Sequence, residues 1–245
     1  MEWLSPLELA YCALVLVLAY GLRGSTGFGG AAGMPLLALV VPIKLLVPLW
    51  TLLGFASSVT ILGRDRRRVA VRDFVAFLPW CVVGIGIGLY FFAALDARTL
   101  ARGLGLLILL YAGYAWWATT HATPRRAPRG IGPLASALSG IVGTLFGTMG
   151  TVFFAMYLDG RRLPKEAFRA TMSAMLLTLS VVRGLGYYAV GEFTVDVWVA
   201  FAAAFPLMLL GIYIGDRIHV RLNELAFRRL VCAILVVCGV PLLLK

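Results

Sequence analysis

The 245-residue sequence predicts an all-α polytopic membrane protein of two inverted-topology repeats, each a broken Gly-rich helical hairpin plus three transmembrane helices. Three observations carry this: an apolar excess, two overlong apolar runs interrupted by glycine, and a one-sided distribution of basic residues. Hydrophobic residues make up 61% of the chain and charged residues 13%, with mean hydropathy +0.94. Soluble domains sit near 45–50% and about 25%. A soluble fold of this size has too little interior for such a surplus, so lipid is its natural solvent. The formal net charge of +11 does not point to nucleic acid. Lys and Arg fall in short clusters between apolar runs, a pattern that orients membrane segments.

Charge clusters divide the chain into apolar runs at 7–41, 45–62, 74–94, 103–119, 131–158, 166–182, 195–215 and 228–244. About 20 residues cross a ~30 Å core as one helix. The first run is far longer than that, and glycines at 24–33 interrupt it. Its start is expected to be a retained membrane segment and not a signal peptide: Met1 to Ala10 holds Glu2 and Glu8 without Lys or Arg, and no small-residue cleavage site interrupts the run. The fifth run is also overlong and broken, at 143–150; the other six are single spans. Cys12, Cys81, Cys232 and Cys238 lie in apolar stretches without a C-x-x-C pair and read as small buried hydrophobes. His121 and His219 stand apart in basic connections, so no metal site and no cofactor are expected.

Self-comparison relates the halves. An offset of 120 places Gly27 on Gly147, Gly30 on Gly150 and Thr51 on Thr171. An offset of 127 places Pro79 on Pro206, Gly84 on Gly211, Gly88 on Gly215, Leu95 on Leu222 and Arg102 on Arg229. The division is an N-terminal repeat at 1–120, a basic cytoplasmic linker at 121–130 and a C-terminal repeat at 131–245. If run 131–158 enters and leaves on one side, the basic clusters at 64–72, 125–129, 161–169 and 217–229 share one face, with 16 basic residues. Lys44, Arg98, Arg102 and Lys245 make four on the other, which also receives the acidic stretch 192–196. The positive-inside rule then makes the basic loops cytoplasmic and both termini periplasmic. Symmetry asks the same broken form of run 7–41, whether re-entrant or crossing twice, and the halves come out inverted.

The breaks carry the chemistry. Glycine permits unusual dihedrals, and non-helical backbone at membrane depth lines a cavity or lies buried in protein. Free amides and the dipole at the start of the following half-helix form an anion site. The first break offers Ser25, Thr26, Gly27, Phe28, Gly29 and Gly30; the second offers Gly143, Thr144, Gly147, Thr148, Gly150 and Thr151. Arg23 abuts the first break inside an apolar run, where it either balances a substrate charge or snorkels to an interface. Arg183 aligns with Gly63 at the end of span two. It is therefore expected to cap span six near the surface, though its charge keeps it among the candidate substrate-binding residues. Gly84-x-x-x-Gly88 and Gly211-x-x-x-Gly215 have no polar company and are expected to serve close helix packing. All eleven carboxylates sit at span ends or in connections, so no buried proton relay is visible, although Asp73, Asp159 or Asp216 could face an aqueous cavity.

At these residues the chain resembles the sulfite exporter TauE/SafE family, within the toluene-sulfonate uptake permease group. The resemblance rests on Gly24-x-x-Gly27-Phe28-Gly29-Gly30 with Pro35-Leu36 after it, on the second glycine cluster, and on Ala170-Thr171-x-Ser173. It spans essentially the whole chain. It implies a secondary transporter of sulfite, sulfonate, sulfoacetate or a related organic anion across the bacterial inner membrane, with export as its direction. The second cluster of the family reads as a glycine triplet followed by proline. Here Thr148 and Met149 interrupt it, and Ala155 stands where Pro35 stands in the first half, which leaves the substrate open. The cycle expected is alternating access, one repeat rocking against the other around a midplane site. The partners expected are a small anion and the bilayer, no nucleic acid, with self-association left open.

An enzyme is not expected, and no catalytic residues are assigned. The rhomboid pattern G-x-S-G has Ala137 in place of its first glycine before Ser139-Gly140. The aspartyl-protease pattern G-x-G-D has Tyr213 in that place before Gly215-Asp216, and no H-E-x-x-H occurs. An anion channel or a non-catalytic membrane subunit is the alternative. Single cysteines introduced into the four basic loops should all react, or all resist, when an impermeant thiol reagent is applied from one side. A split among the loops would overturn the topology.

Overall fold

The computed structural model describes residues 5–26, 30–65, 69–120, 131–150, 153, 165–217 and 235–244. The regular structure among them is helical: α1 (Pro6–Thr26), α2 (Gly30–Ala38), α3 (Ile43–Asp65), α4 (Val71–Ala94), α5 (Ala97–Thr120), α6 (Ile131–Phe146), a 3₁₀ turn at Gly147–Gly150, α7 (Lys165–Val190), α8 (Val195–Arg217) and α9 (Leu235–Leu244). Five helices are long and apolar enough to cross a membrane, at Pro6–Gly24, Ile43–Thr60, Phe74–Ala94, Ala170–Val190 and Val195–Gly215. Outward residues such as Leu14, Leu18, Ile87, Leu209 and Leu210 are exposed, as side chains facing lipid would be.

Local chemistry sets the helix starts. Ser5 donates its N–H to Glu8 Oε2 at 2.7 Å, and Glu8 returns its N–H to Ser5 Oγ at 3.3 Å. This reciprocal cap precedes Pro6, a residue suited to the first helical position. Asp96 caps α5 by accepting the N–H groups of Arg98 at 3.2 Å and Thr99 at 3.4 Å. The Thr99 hydroxyl leads the contacts that hold its carboxyl below the ordinary value. The expected sixth span was to end at 182, yet α7 continues to Val190. Arg183 is buried inside the helix and marks no boundary.

The first overlong run doubles back, and the second is described only as far as its turn. α2 returns along α1: a Cβ at Gly33 would stand 2.6 Å from Ala19 Cβ, and Tyr11 donates its hydroxyl to Leu36 O at 3.1 Å. α1 itself continues through Gly24 to Thr26, and residues 27–29 lie outside the described residues. At Gly147–Gly150 the chain folds onto α6, and Ser139 Oγ donates to Gly150 O at 2.7 Å. A Cβ at Gly150 would lie 2.5 Å from Gly143 N, so the return needs glycine there.

The two most extensive helix interfaces join the halves: α4 with α6, and α1 with α8. Gly84 lies against Ala137 and Gly88 against Ile141; Gly211 lies against Val17 and Gly215 against Gly21. Within each pair the contacts advance together, so the helices run parallel. Ala137 and Ile141 lie 120 residues after Val17 and Gly21, while Gly211 and Gly215 lie 127 after Gly84 and Gly88. The two sequence offsets thus turn one interface into the other, and these glycines serve close packing as expected. The equivalents of Leu95 and Arg102, Leu222 and Arg229, lie outside the described residues. Two further contacts run antiparallel. Gly54 of α3 faces Ser180 of α7, and Ala70, the N-cap of α4 that follows α3 in the chain, donates its N–H to Thr171 Oγ1 of α7 at 2.9 Å. Between α5 and α9, Gly105 meets Leu243 and Gly239 meets Leu109.

A methyl group at Gly215 would press on the Gly21 carbonyl, whereas one at Gly86 meets nothing within 4 Å. Gly215→Ala should destabilise the protein by about 1–3 kcal/mol, and Gly86→Ala should not. Thermal unfolding of both variants in detergent checks this.

Candidate functional site

Two arginines stand where α1, α3, α6 and α7 converge. Arg23, in the last turn of α1, is 4% exposed, and Arg183, on α7, is 5% exposed. Arg23 Nη2 donates to Ser58 Oγ at 2.9 Å and to Gly54 O at 3.5 Å, both on α3. Its guanidinium carbon lies 5.9 Å from the Tyr20 ring centroid. Arg183 Nη1 donates to Gly143 O and, at 3.4 Å, to Gly147 O. Each arginine therefore ties the first two long helices of its own half together, from opposite partners. The offset of 120 sets Arg23 on Gly143 and Arg183 on Gly63, so the charges are not symmetry equivalents.

Neither guanidinium meets a carboxylate in any ion pair among the described residues, where Lys44–Glu192 at 3.8 Å is the pair present. An arginine at the centre of a membrane helix costs about 2.5–3.5 kcal/mol on the insertion scale, and such residues usually pair. The Nε atoms of both arginines are buried without a partner among the described residues, as are Tyr20 Oη and Trp50 Nε1.

Both arginines line one cavity. Trp50 and Gly54 of α3 form one wall, Leu176, Leu179 and Ser180 of α7 another. Ser139, Gly143, Gly147 and Gly150, from α6 and its turn, close it. The cavity volume is about 10 Å³, room for one water. An oxyanion therefore requires the walls to part.

The break shapes this floor. Gly147 has φ +64°, in the left-handed region that favours glycine. The last carbonyls of α6 have no helical partner, and side chains of α7 supply donors: Arg183 to Gly143 O, and the Tyr187 hydroxyl to Thr144 O. The described part of this break thus presents carbonyls covered by a guanidinium. The amides expected at the following half-helix lie at 151–164, where only Phe153 is described.

Of the expected residues, Arg23, Gly143, Gly147, Gly150 and Arg183 come together at the cavity. Arg183 corrects the surface-cap expectation: α7 extends a further two turns, and the residue points at the end of α6. Thr144 is buried away from the cavity. Its Cβ packs toward Gly88, and its hydroxyl donates to Gly140 O at 2.8 Å. Gly30 opens α2. Gly27, Phe28, Gly29 and Thr151, with the side chains of Ser25, Thr26 and Thr148, lie outside the described residues. So do Asp159 and the side chains of Asp73 and Asp216. Sequence reasoning missed Trp50, Gly54, Ser58, Ser139 and Ser180. A signal existed: 176, 179, 180 and 183 form a helical stripe, and Gly54 and Ser58 lie one turn apart in an apolar span.

The family profile "Sulfite exporter TauE/SafE" matches residues 12–242. The chain is 27% identical over 196 residues to "Probable inner membrane transporter protein TsaS" of Comamonas testosteroni, covering 78% of this chain and 80% of that protein. No solved structure matches.

The conformation of Gly147 should be sensitive to a side chain. Gly147→Ala should cost about 1–2 kcal/mol and Gly147→Asn less, read as thermal stability in detergent.

Proposed function

Because the chain belongs to the sulfite exporter TauE/SafE family, we propose that it is a secondary transporter that exports a small sulfur oxyanion or organosulfonate by alternating access. The observation that carries this reading is the pair of buried guanidiniums on one cavity, neither of which meets a carboxylate among the described residues. A buried unpaired charge is costly, and an anion arriving from water removes that cost. Substrate binding is thereby linked to the most unfavourable feature of the empty site. We place the protein in the bacterial inner membrane, the location in the name of its relative. The basic loops face the cytoplasm by the charge distribution.

The inverted-repeat reading draws support from the helix directions. α1 runs parallel to α8, α4 runs parallel to α6, and α3 and α7 oppose each other. The cavity lies between the halves, where such transporters hold substrate. The packing argues for moving bodies other than whole repeats. Separating the halves would open the α1–α8 and α4–α6 interfaces, the most extensive among the described helices. We therefore assign the motion to these mixed pairs, turning about the α3–α7 contact. A channel would need a continuous aqueous path, and the single-water cavity favours a carrier.

Counterflow of radiolabelled sulfite in proteoliposomes tests the proposal. Arg23→Ala and Arg183→Ala should each reduce uptake by about tenfold or more. Arg217→Ala, an exposed residue over Tyr213, should leave it unchanged. Full uptake by both cavity variants would remove the proposed site.

A further inference from the structure

We propose that Lys44, Phe92 and Glu192 form a latch that holds the cavity shut from one end of the bundle, and that its release opens the cavity to that side; the inference rests on the transport reading above. The end in question is where α3 begins, α4 ends and α7 passes into α8, opposite the basic cluster at 64–72. It is the periplasmic end on the topology proposed above.

The two charges stand where their own helices disfavour them. Lys44 is in the first turn of α3, where the helix dipole favours anions. Glu192 follows the C-terminus of α7, where the dipole favours cations. They meet each other instead, one from each half, with Nζ 3.8 Å from Oε1. The end of α7 sets Glu192 in place. Gly191 has φ +80°, its N–H donates to Tyr188 O at 3.1 Å, and the Glu192 N–H donates to Tyr187 O at 2.9 Å. These bonds close the helix end and fix the backbone that carries the carboxylate. A partly exposed ion pair adds little stability. Its use here lies in where it holds the ammonium.

Lys44 Nζ lies 5.8 Å from the Phe92 ring centroid, within cation–π range. Phe92, near the end of α4, packs edge-on against Tyr187 of α7 at 5.1 Å between centroids. Tyr187 donates its hydroxyl to Thr144 O of α6. Both rings are buried, and Tyr187 is one helical turn beyond Arg183, which lines the cavity. Phe92 and Tyr187 thus stand between Lys44 and the cavity. Each contact joins α3 or α7, the proposed pivot, to α4 or α6, the proposed moving pair. Turning that pair draws Phe92 from under the ammonium and off Tyr187 together. Contacts of this strength bias a two-state equilibrium several-fold without locking it, as a cycling carrier requires.

Ser180→Cys in the cavity wall reports access, in a full-length chain whose native cysteines are replaced by alanine. The readout is its rate of reaction with an impermeant thiol reagent applied to either side of proteoliposomes. Lys44→Met and Glu192→Gln should each raise the rate from the Lys44 side about threefold. Phe92→Leu loses both the cation and the ring contact, and should raise it about tenfold. Lys44→Arg and Phe92→Tyr keep the contacts and should leave the rate as it was. Access from the opposite side should not rise in any of them. Unchanged rates in Lys44→Met and Glu192→Gln, or an equal rise from both sides, would overturn the latch. So would a rise in Lys44→Arg equal to that in Lys44→Met. An unchanged rate in a folded Phe92→Leu would remove the ring from it. Lys44 and Glu192 are partly exposed, so should Phe92→Leu not fold, the charge variants decide. Absence of sulfite counterflow in the unaltered protein would overturn the transport reading, while the thiol rates still decide the latch.

Discussion

The burial of two guanidiniums that meet no carboxylate among the described residues is the constraint around which the rest of the molecule is arranged. A membrane protein tolerates a charge in its interior when something else supplies the opposite charge or enough oxygen ligands. Here serine and main-chain oxygens supply part of that need for Arg23 and Arg183. The broken end of α6 exists in this form because Arg183 covers its last carbonyls. The charge stabilises the break, and the break gives the charge partial solvation. Each would be a defect alone.

Glycine lets the four helices reach that point. Gly84, Gly88, Gly211 and Gly215 allow backbones of opposite halves to touch, which draws α1 and α6 inward on their partners. Gly143 and Gly150 then leave space for the fold-back beside Arg183. The same residue type thus does two jobs. On α4 and α8 it removes bulk so that helices close on each other; at 147–150 it permits a backbone that other residues resist.

Much of this could be read from the chain. The apolar runs, their two breaks and the packing glycines follow from composition and spacing, because lipid imposes length and hydropathy on every span. The offsets of 120 and 127 reappear as registers of the α1–α8 and α4–α6 interfaces. The site was half legible. Arg23 stood out because a charge within an apolar run is conspicuous. Arg183 was misread because a charge near a presumed span end looks like a boundary, and only the continuation of α7 to Val190 shows it to be internal. Trp50 was hidden because an indole in an apolar span looks like core. Its orphaned N–H becomes visible only when its neighbours are known. Thr144 illustrates the opposite error: a hydroxyl beside a break turned one step around the helix, onto α4 and its own backbone.

The exchange of partners between halves bears on how the protein is made. α1 emerges first from the ribosome, yet the face bearing Gly21 and Gly24 meets its partner only when α8 has been synthesised. Arg23 finds its α3 ligands sooner, which lets the most costly residue of the early chain settle before the bundle closes. A severed N-terminal half would hold a cleft-facing charge with an uncovered glycine seam beside it. Burial of that seam therefore waits on α8, which lies far along the chain from α1.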